Sequence, residues 1–282
     1  MAILTISRQF GSGGREIGHT IAQVMHYEYI DRQKILEDMS KEGAFWKDKA
    51  EYFDENYPDL WERNDWAYRG FVALNQSYFL QHAVRGNVVI MGRGGNFLLK
   101  KFPFVLKVRI IAPLEKRIER IMAREGVNKE IAQYLIEKAD TEMAKAVYII
   151  YGKNIDDPRE YDFVFDTAQK SQDEIVSIIK NALIEKDKYQ TLEAMEALKL
   201  RALAEKIKAA ILTDPQLLIS AFDVDPQEEG LTKFGLTIRG IVHNRDDIER
   251  IKKVTRTLAG NLPLEFQIHY QVYSRIGPRY FK

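Results

Sequence analysis

The apolar positions fall into two regimes. Through the first two thirds of the chain, short apolar runs alternate with stretches of helical spacing. Ala2 to Ile6 has the length of a buried strand, and Arg15 to Met25 carries Ile17, Ile21, Val24 and Met25 at helical intervals. Tyr27 to Asp31 predicts a second strand and Arg32 to Met39 a helix. Val88 to Met91 suits a central parallel strand, and Val105 to Ile111 gives another strand. A helix carrying Arg117, Arg120 and Arg124 follows Pro113, and Asn128 to Lys145 reads as a helix or helix pair. Tyr161 to Asp166 is a further strand, Thr167 to Ser171 a loop, and Asp173 to Lys186 an amphipathic helix. This alternation predicts an α/β fold with a doubly wound, mostly parallel sheet.

From Asp187 the pattern changes. A charged helix over Leu192 to Leu212 precedes strand-like runs at Leu217 to Val224 and Leu231 to Val242, a helix from Asp246 to Leu258, and a last strand from Leu264 to Val272. That α-β-β-α-β order predicts a separate small α+β domain, giving domains at 1–188 and 189–282. Two domains suit 282 residues, at about 100–200 residues each.

Lys41 to Arg85 interrupts the alternation with Phe45, Trp46, Tyr52, Phe53, Tyr57, Trp61, Trp66, Tyr68, Phe71, Tyr78 and Phe79. Their spacing predicts a helical insertion whose aromatics pack on one another, with room for one or two to stack on a base. Arg63 and Arg69 are its cations best placed to matter.

Composition narrows the function classes. With 42 basic and 41 acidic residues the net charge is +1, so no global field favours nucleic acid or an anionic membrane. The absence of cysteine excludes disulfides, thiolate metal sites and cysteine nucleophiles. The five histidines show no ligand spacing. No stretch reaches the ~20 apolar residues of a membrane span, and the N-terminus enters a strand without signal-peptide regions. The expectation is a cytoplasmic protein.

The chemistry concentrates at two glycine turns. Gly11, Ser12, Gly13 and Gly14 lie between the first strand and its helix, where unpaired N–H groups at the positive end of a helix bind phosphate. Arg8 and Arg15 flank that turn as cations. Glu16 has two readings, a Mg²⁺ ligand or a first-turn carboxylate stabilised by the helix dipole. Asp31 likewise either caps the helix after it or faces the crevice at the strand ends. Arg93, between glycines after a buried strand, is an anion-binding candidate. Arg117, Arg120 and Arg124 share a helix face, either solvated or turned to phosphate.

Taken together, ITISRQFGSGGREIG, YIDRQKI, MGRGGNFLL, APLEKRIERIMAREG and YDFVFDTAQKSQDEIVSII resemble the cytidylate kinase-like family, over roughly residues 1–186. The resemblance implies a P-loop-type fold, a nucleotide as partner, and ATP with Mg²⁺ as cofactors. It also implies phosphoryl transfer to a nucleoside monophosphate, with CMP or dCMP the first acceptor. On the family loop G-x-x-G-S-G-K-G-T, Arg8 takes the place of the first glycine, Gly14 of the lysine and Glu16 of the threonine. Gly11 to Gly14 would cradle the donor phosphates, Arg15 or Arg8 would supply the missing lysine's charge, and Asp31 and Arg93 would bind the acceptor. Arg117 and Arg120 would stabilise the transferred charge. Asp140 matches the second aspartate of the lid motif R-D-x-x-D-x-x-R, whereas Met143 replaces its last arginine and Glu137 precedes it without a cation. Such an arginine contributes ~10³-fold or more to rate, which leaves Lys138, Lys145 and Lys153 as replacements and a nucleotide sensor as the alternative function. The C-terminal module resembles a BON domain, through which a ligand or a second copy of the chain would attach.

Overall fold

The structure, a computed structural model, describes residues 2–55, 65–217, 219–229 and 233–272. Tyr57, Trp61 and Arg63 of the insertion lie outside the described residues. The chain divides into two compact units, Met1–Asp59 with Tyr78–Glu196, and Leu60–Ser77 with Ala197–Lys282. The second unit therefore takes in part of the segment read from sequence as an insertion in the first.

In chain order come β1 (Ile3–Arg8), α1 (Gly14–Met25), β2 (Glu28–Ile30), α2 (Arg32–Met39), α3 (Ala44–Glu55) and α4 (Trp66–Arg85). These lead to β3 (Val88–Met91), a short α5 (Gly95–Leu98), β4 (Val105–Ile111), α6 (Leu114–Glu125), α7 (Lys129–Tyr151), β5 (Phe163–Asp166) and α8 (Gln172–Asp187). The remainder is α9 (Leu192–Leu212), β6 (Ile219–Glu229), β7 (Lys233–Val242), α10 (Asp246–Ala259) and β8 (Leu264–Tyr270).

Strands β1 to β5 form one parallel sheet in the order β2-β3-β1-β4-β5. β1 lies at its centre, so its carboxyl end opens onto the crevice where such sheets bind ligands. It runs two residues past the expected strand because pairing with β4 continues to Arg8, opposite Ile110. Leu4, Ile6, Val89, Met91, Leu106, Val108 and Ile110 of the sheet pack against Ile17 and Ile21 of α1 and Ile175, Ile179 and Leu183 of α8. α8 starts from a full capping box, in which Ser171 and Glu174 each bond the other's backbone N–H. α7 continues to Tyr151, six residues past the expected end. Its apolar spacing carries on through Val147, which is buried, and it stops at Gly152 in the left-handed conformation.

In the second unit β6 and β7 are antiparallel and β7 and β8 parallel, in the order β6-β7-β8. β6 extends beyond the expected Val224 to Glu229 and includes Pro226, which an edge strand tolerates because one side of it has no ladder bonds to make. Arg69, a cation singled out in the sequence, donates from Nη1 to the carbonyl of Ile219 at 2.9 Å, and burial lowers its pKa. It thus holds the start of β6.

Candidate functional site

Two turns meet at the carboxyl ends of the adjacent strands β1 and β3. The first joins β1 to α1. Gly11 and Gly13 adopt φ of +79° and +87°, and Gly13 caps α1 without a side-chain hydrogen bond, so no side chain satisfies the first-turn N–H groups. Those groups carry a partial charge of about +0.5, which attracts an anion. The Ser12 side chain is fully buried, yet its Oγ has no hydrogen-bond partner among the described residues. A buried hydroxyl of this kind is completed by an ordered water or by a polar ligand. Gly14 is required for packing: a Cβ there would stand 2.7 Å from the Cβ of Arg8. Arg15 and Glu16 are exposed on the first turn, and no group of three candidate metal ligands occurs among the described residues.

The second turn follows β3. Gly92, Arg93 and Gly94 have φ of +69°, +54° and +71°, an unbroken left-handed run. A non-glycine residue there costs roughly 1–2 kcal/mol, so the fold holds Arg93 against its own preference. The Gly92 N–H donates to the Ile6 carbonyl at 2.8 Å and the Gly95 N–H to the Gly92 carbonyl at 3.1 Å. Tyr151, at the end of α7, donates its hydroxyl to the Arg93 carbonyl at 3.3 Å. The ring of Tyr151 lies so close that a Cβ on Gly94 would fall 2.1 Å from it.

Arg8 connects the two turns. Its Cβ packs on Gly14, and its Nη1 lies 2.1 Å from where Gly92 would carry a Cβ. The guanidinium has no hydrogen bond or ion pair among the described residues, and burial lowers its pKa, with Asp31 and Tyr29 opposing that shift. Tyr29 is pushed up to about 12, first by burial and then by Asp31, and it stacks on His19 at 3.8 Å. Asp31 accepts from the Lys34 N–H at 3.2 Å as the cap of α2, the first of its two readings, and its charge acts on Arg8.

The arginines of α6 divide by task. Arg117 is buried; its Nη1 donates to Asp140 Oδ2 at 2.5 Å and to the Phe10 carbonyl at 3.4 Å. The other oxygen of Asp140 accepts from the Phe10 N–H at 2.8 Å. Arg117 and Asp140 therefore clamp α6 and α7 onto the glycine turn, above an apolar cluster of Ile118, Ile121, Ala132, Ile136 and Phe10. Arg120 is exposed at the mouth of that turn, donating to the Thr167 hydroxyl at 2.9 Å and to the Gly11 carbonyl at 3.4 Å. Arg124 pairs with Glu125 and lies over the Phe10 ring. Lys138 and Lys153 pair with Glu142 and Glu160 at 3.9 and 3.8 Å.

Three residues escaped the sequence reading. Thr167, at the end of β5, donates to the Ser12 carbonyl at 2.8 Å while accepting from Arg120, tying that arginine to the turn. Arg109, inside β4 and buried, donates to Ser7 Oγ at 2.8 Å, pairs with Asp156 and faces the Tyr161 ring. A cation within VLKVRII was its signal. Tyr151 had no local signal, because its partner lies 58 positions away.

The family model described as the cytidylate kinase-like family matches residues 3–169. A cytidylate kinase of Pyrococcus horikoshii is 26% identical over 181 residues, covering 64% of this chain and 88% of that protein. One from Methanopyrus kandleri is 29% identical over 189 residues, covering 64% and 92%. Among solved structures, an uncharacterized protein of Eubacterium ventriosum superposes with a TM-score of 0.53 at 18% identity, covering 65% of this chain and 98% of its own. This likeness concerns the fold alone.

Proposed function

Because the chain belongs to the cytidylate kinase-like family, we propose that its first unit transfers the γ-phosphoryl group of ATP to the phosphate of a nucleoside monophosphate, CMP or dCMP before others. The observation that carries this reading is the pairing of two turns on adjacent strand ends. One is an uncapped helix start with the orphan hydroxyl of Ser12, the other a left-handed turn bearing Arg93. Gly11 to Gly14 and Arg15 hold the donor phosphates, Arg93 with Asp31 receives the acceptor, and Arg120 lies over the donor side. Mg²⁺, when bound, neutralises charge on the donor phosphates, with Glu16 as the first-turn carboxylate available to it.

The chain's own work is positioning and charge stabilisation, which carry most of phosphoryl transfer. Arg117 and Asp140 act indirectly, fixing the donor turn through Phe10. The lost lid arginine is consistent with this: the aspartate of that motif is occupied by a clamp within the protein.

The test is ADP formation by the full chain with ATP and Mg²⁺ against a panel of nucleoside monophosphates, with Arg93→Ala beside it. Turnover that requires one acceptor and falls at least tenfold in the variant, ~1.4 kcal/mol of transition-state stabilisation, supports the reading. Micromolar nucleotide binding without turnover replaces the kinase with a sensor.

A further inference from the structure

We infer that the Arg8 guanidinium is a catalytic group that bridges donor and acceptor phosphates, taking over from the end of β1 the role of the absent loop lysine. The inference rests on the kinase reading above and goes beyond it by assigning the moving phosphoryl group to one side chain. Laid on the family loop, Arg8 stands at the first glycine, the wrong end for the lysine. In three dimensions that offset is repaired. The side chain leaves β1 beside Gly14, the position aligned with the lysine, and ends over Gly92, the first residue of the Arg93 turn. Arg15, by contrast, is exposed on the first turn of α1, and Arg120 is tied to Gly11 and Thr167.

Its electrostatic state fits the role. A partly buried guanidinium without a hydrogen bond or ion pair among the described residues has its donors open to an anion. Asp31 lies near enough to stabilise the charge yet bonds the Lys34 N–H rather than Arg8. The planar fork can bond one oxygen on each of two phosphates, which a lysine ammonium does less well. In the reaction the bond from the γ-phosphorus to the β–γ bridging oxygen breaks, and its electron pair leaves with ADP. A bond forms between that phosphorus and an oxygen of the nucleoside monophosphate, giving the diphosphate. Arg8 stabilises the negative charge spread over the group in flight and gains or loses no proton.

The test compares wild type, Arg8→Lys, Arg8→Met and Gly92→Ala in the full chain. It measures kcat and both KM values, and also affinity for a bisubstrate analogue in which five phosphates join adenosine to cytidine. The expected result is a kcat at least 100-fold lower in Arg8→Met, with both KM values changed less than fivefold, and at least tenfold recovery in Arg8→Lys. Bisubstrate affinity falls by more than the losses for ADP and CMP multiplied together. Gly92→Ala, which keeps the charge but pushes the guanidinium aside, lowers kcat by at least tenfold. If wild type turns over and Arg8→Met keeps kcat within threefold, Arg8 is not the bridge and the kinase reading stands. If Arg8→Met fails to fold, unchanged kcat in Gly92→Ala overturns the inference alone. A wild type that neither turns over nor binds any nucleotide overturns the reading and the inference together.

Discussion

Replacing Asp140 with alanine removes the acceptor for two donors at once. The Phe10 N–H and the Arg117 guanidinium both bond its carboxylate, at 2.8 and 2.5 Å, and the Arg117 side chain is only 9% exposed. Leaving a fully buried charge without its partner costs about 3–5 kcal/mol. The Asp140 side chain is 28% exposed, so water screens part of that loss. The orphaned Phe10 N–H adds about 1 kcal/mol. A destabilisation of roughly 2–4 kcal/mol follows, equivalent to about 5–12 °C in the melting temperature of a unit this size. Asp140→Asn keeps an acceptor for Phe10 but leaves Arg117 without a counter-charge, and falls about midway. Calorimetry and urea unfolding of the full chain measure both variants. A change below about 0.5 kcal/mol with turnover reduced would refute the clamp and return Asp140 to a direct role on substrate.

Two further outcomes follow from local features. Ser171→Ala removes one half of the capping box of α8 and should lower the stability of the first unit by about 1 kcal/mol, read from the urea midpoint at unchanged slope. Tyr29 ionises near 12 in the folded chain, above the ordinary value of about 10, so the fold favours its neutral phenol. That stabilisation is complete below pH 10 and disappears as pH rises from about 10 to about 12. Wild type should lose stability relative to Tyr29→Phe across that window and not below it, in unfolding measurements at stepped pH.

Most of the first unit was legible because its strands are buried on both faces and read as apolar runs, and because α1 and α8 keep regular helical spacing. Boundaries failed where pairing or packing decides them: β1 gains Ser7 and Arg8 from β4, and α7 runs on to meet the Arg93 turn. At the site, the glycine turns and their flanking arginines were visible, since glycine and arginine carry chemistry at fixed positions. Which arginine does what was not. Arg117 and Arg120 stand three positions apart on one helix, yet one faces inward to Asp140 and the other holds the rim through Thr167. Arg8 reads as a strand-end cation, and only the approach of Gly14 and Gly92 to it shows that it spans both turns.

Phosphorus NMR of the full chain with ATP, Mg²⁺ and CMP follows every phosphate at once and so reads phosphoryl transfer itself. CDP and ADP should appear in equal amounts, with no inorganic phosphate. ADP accompanied by inorganic phosphate without CDP, or no change with any nucleoside monophosphate, would contradict the proposed transfer.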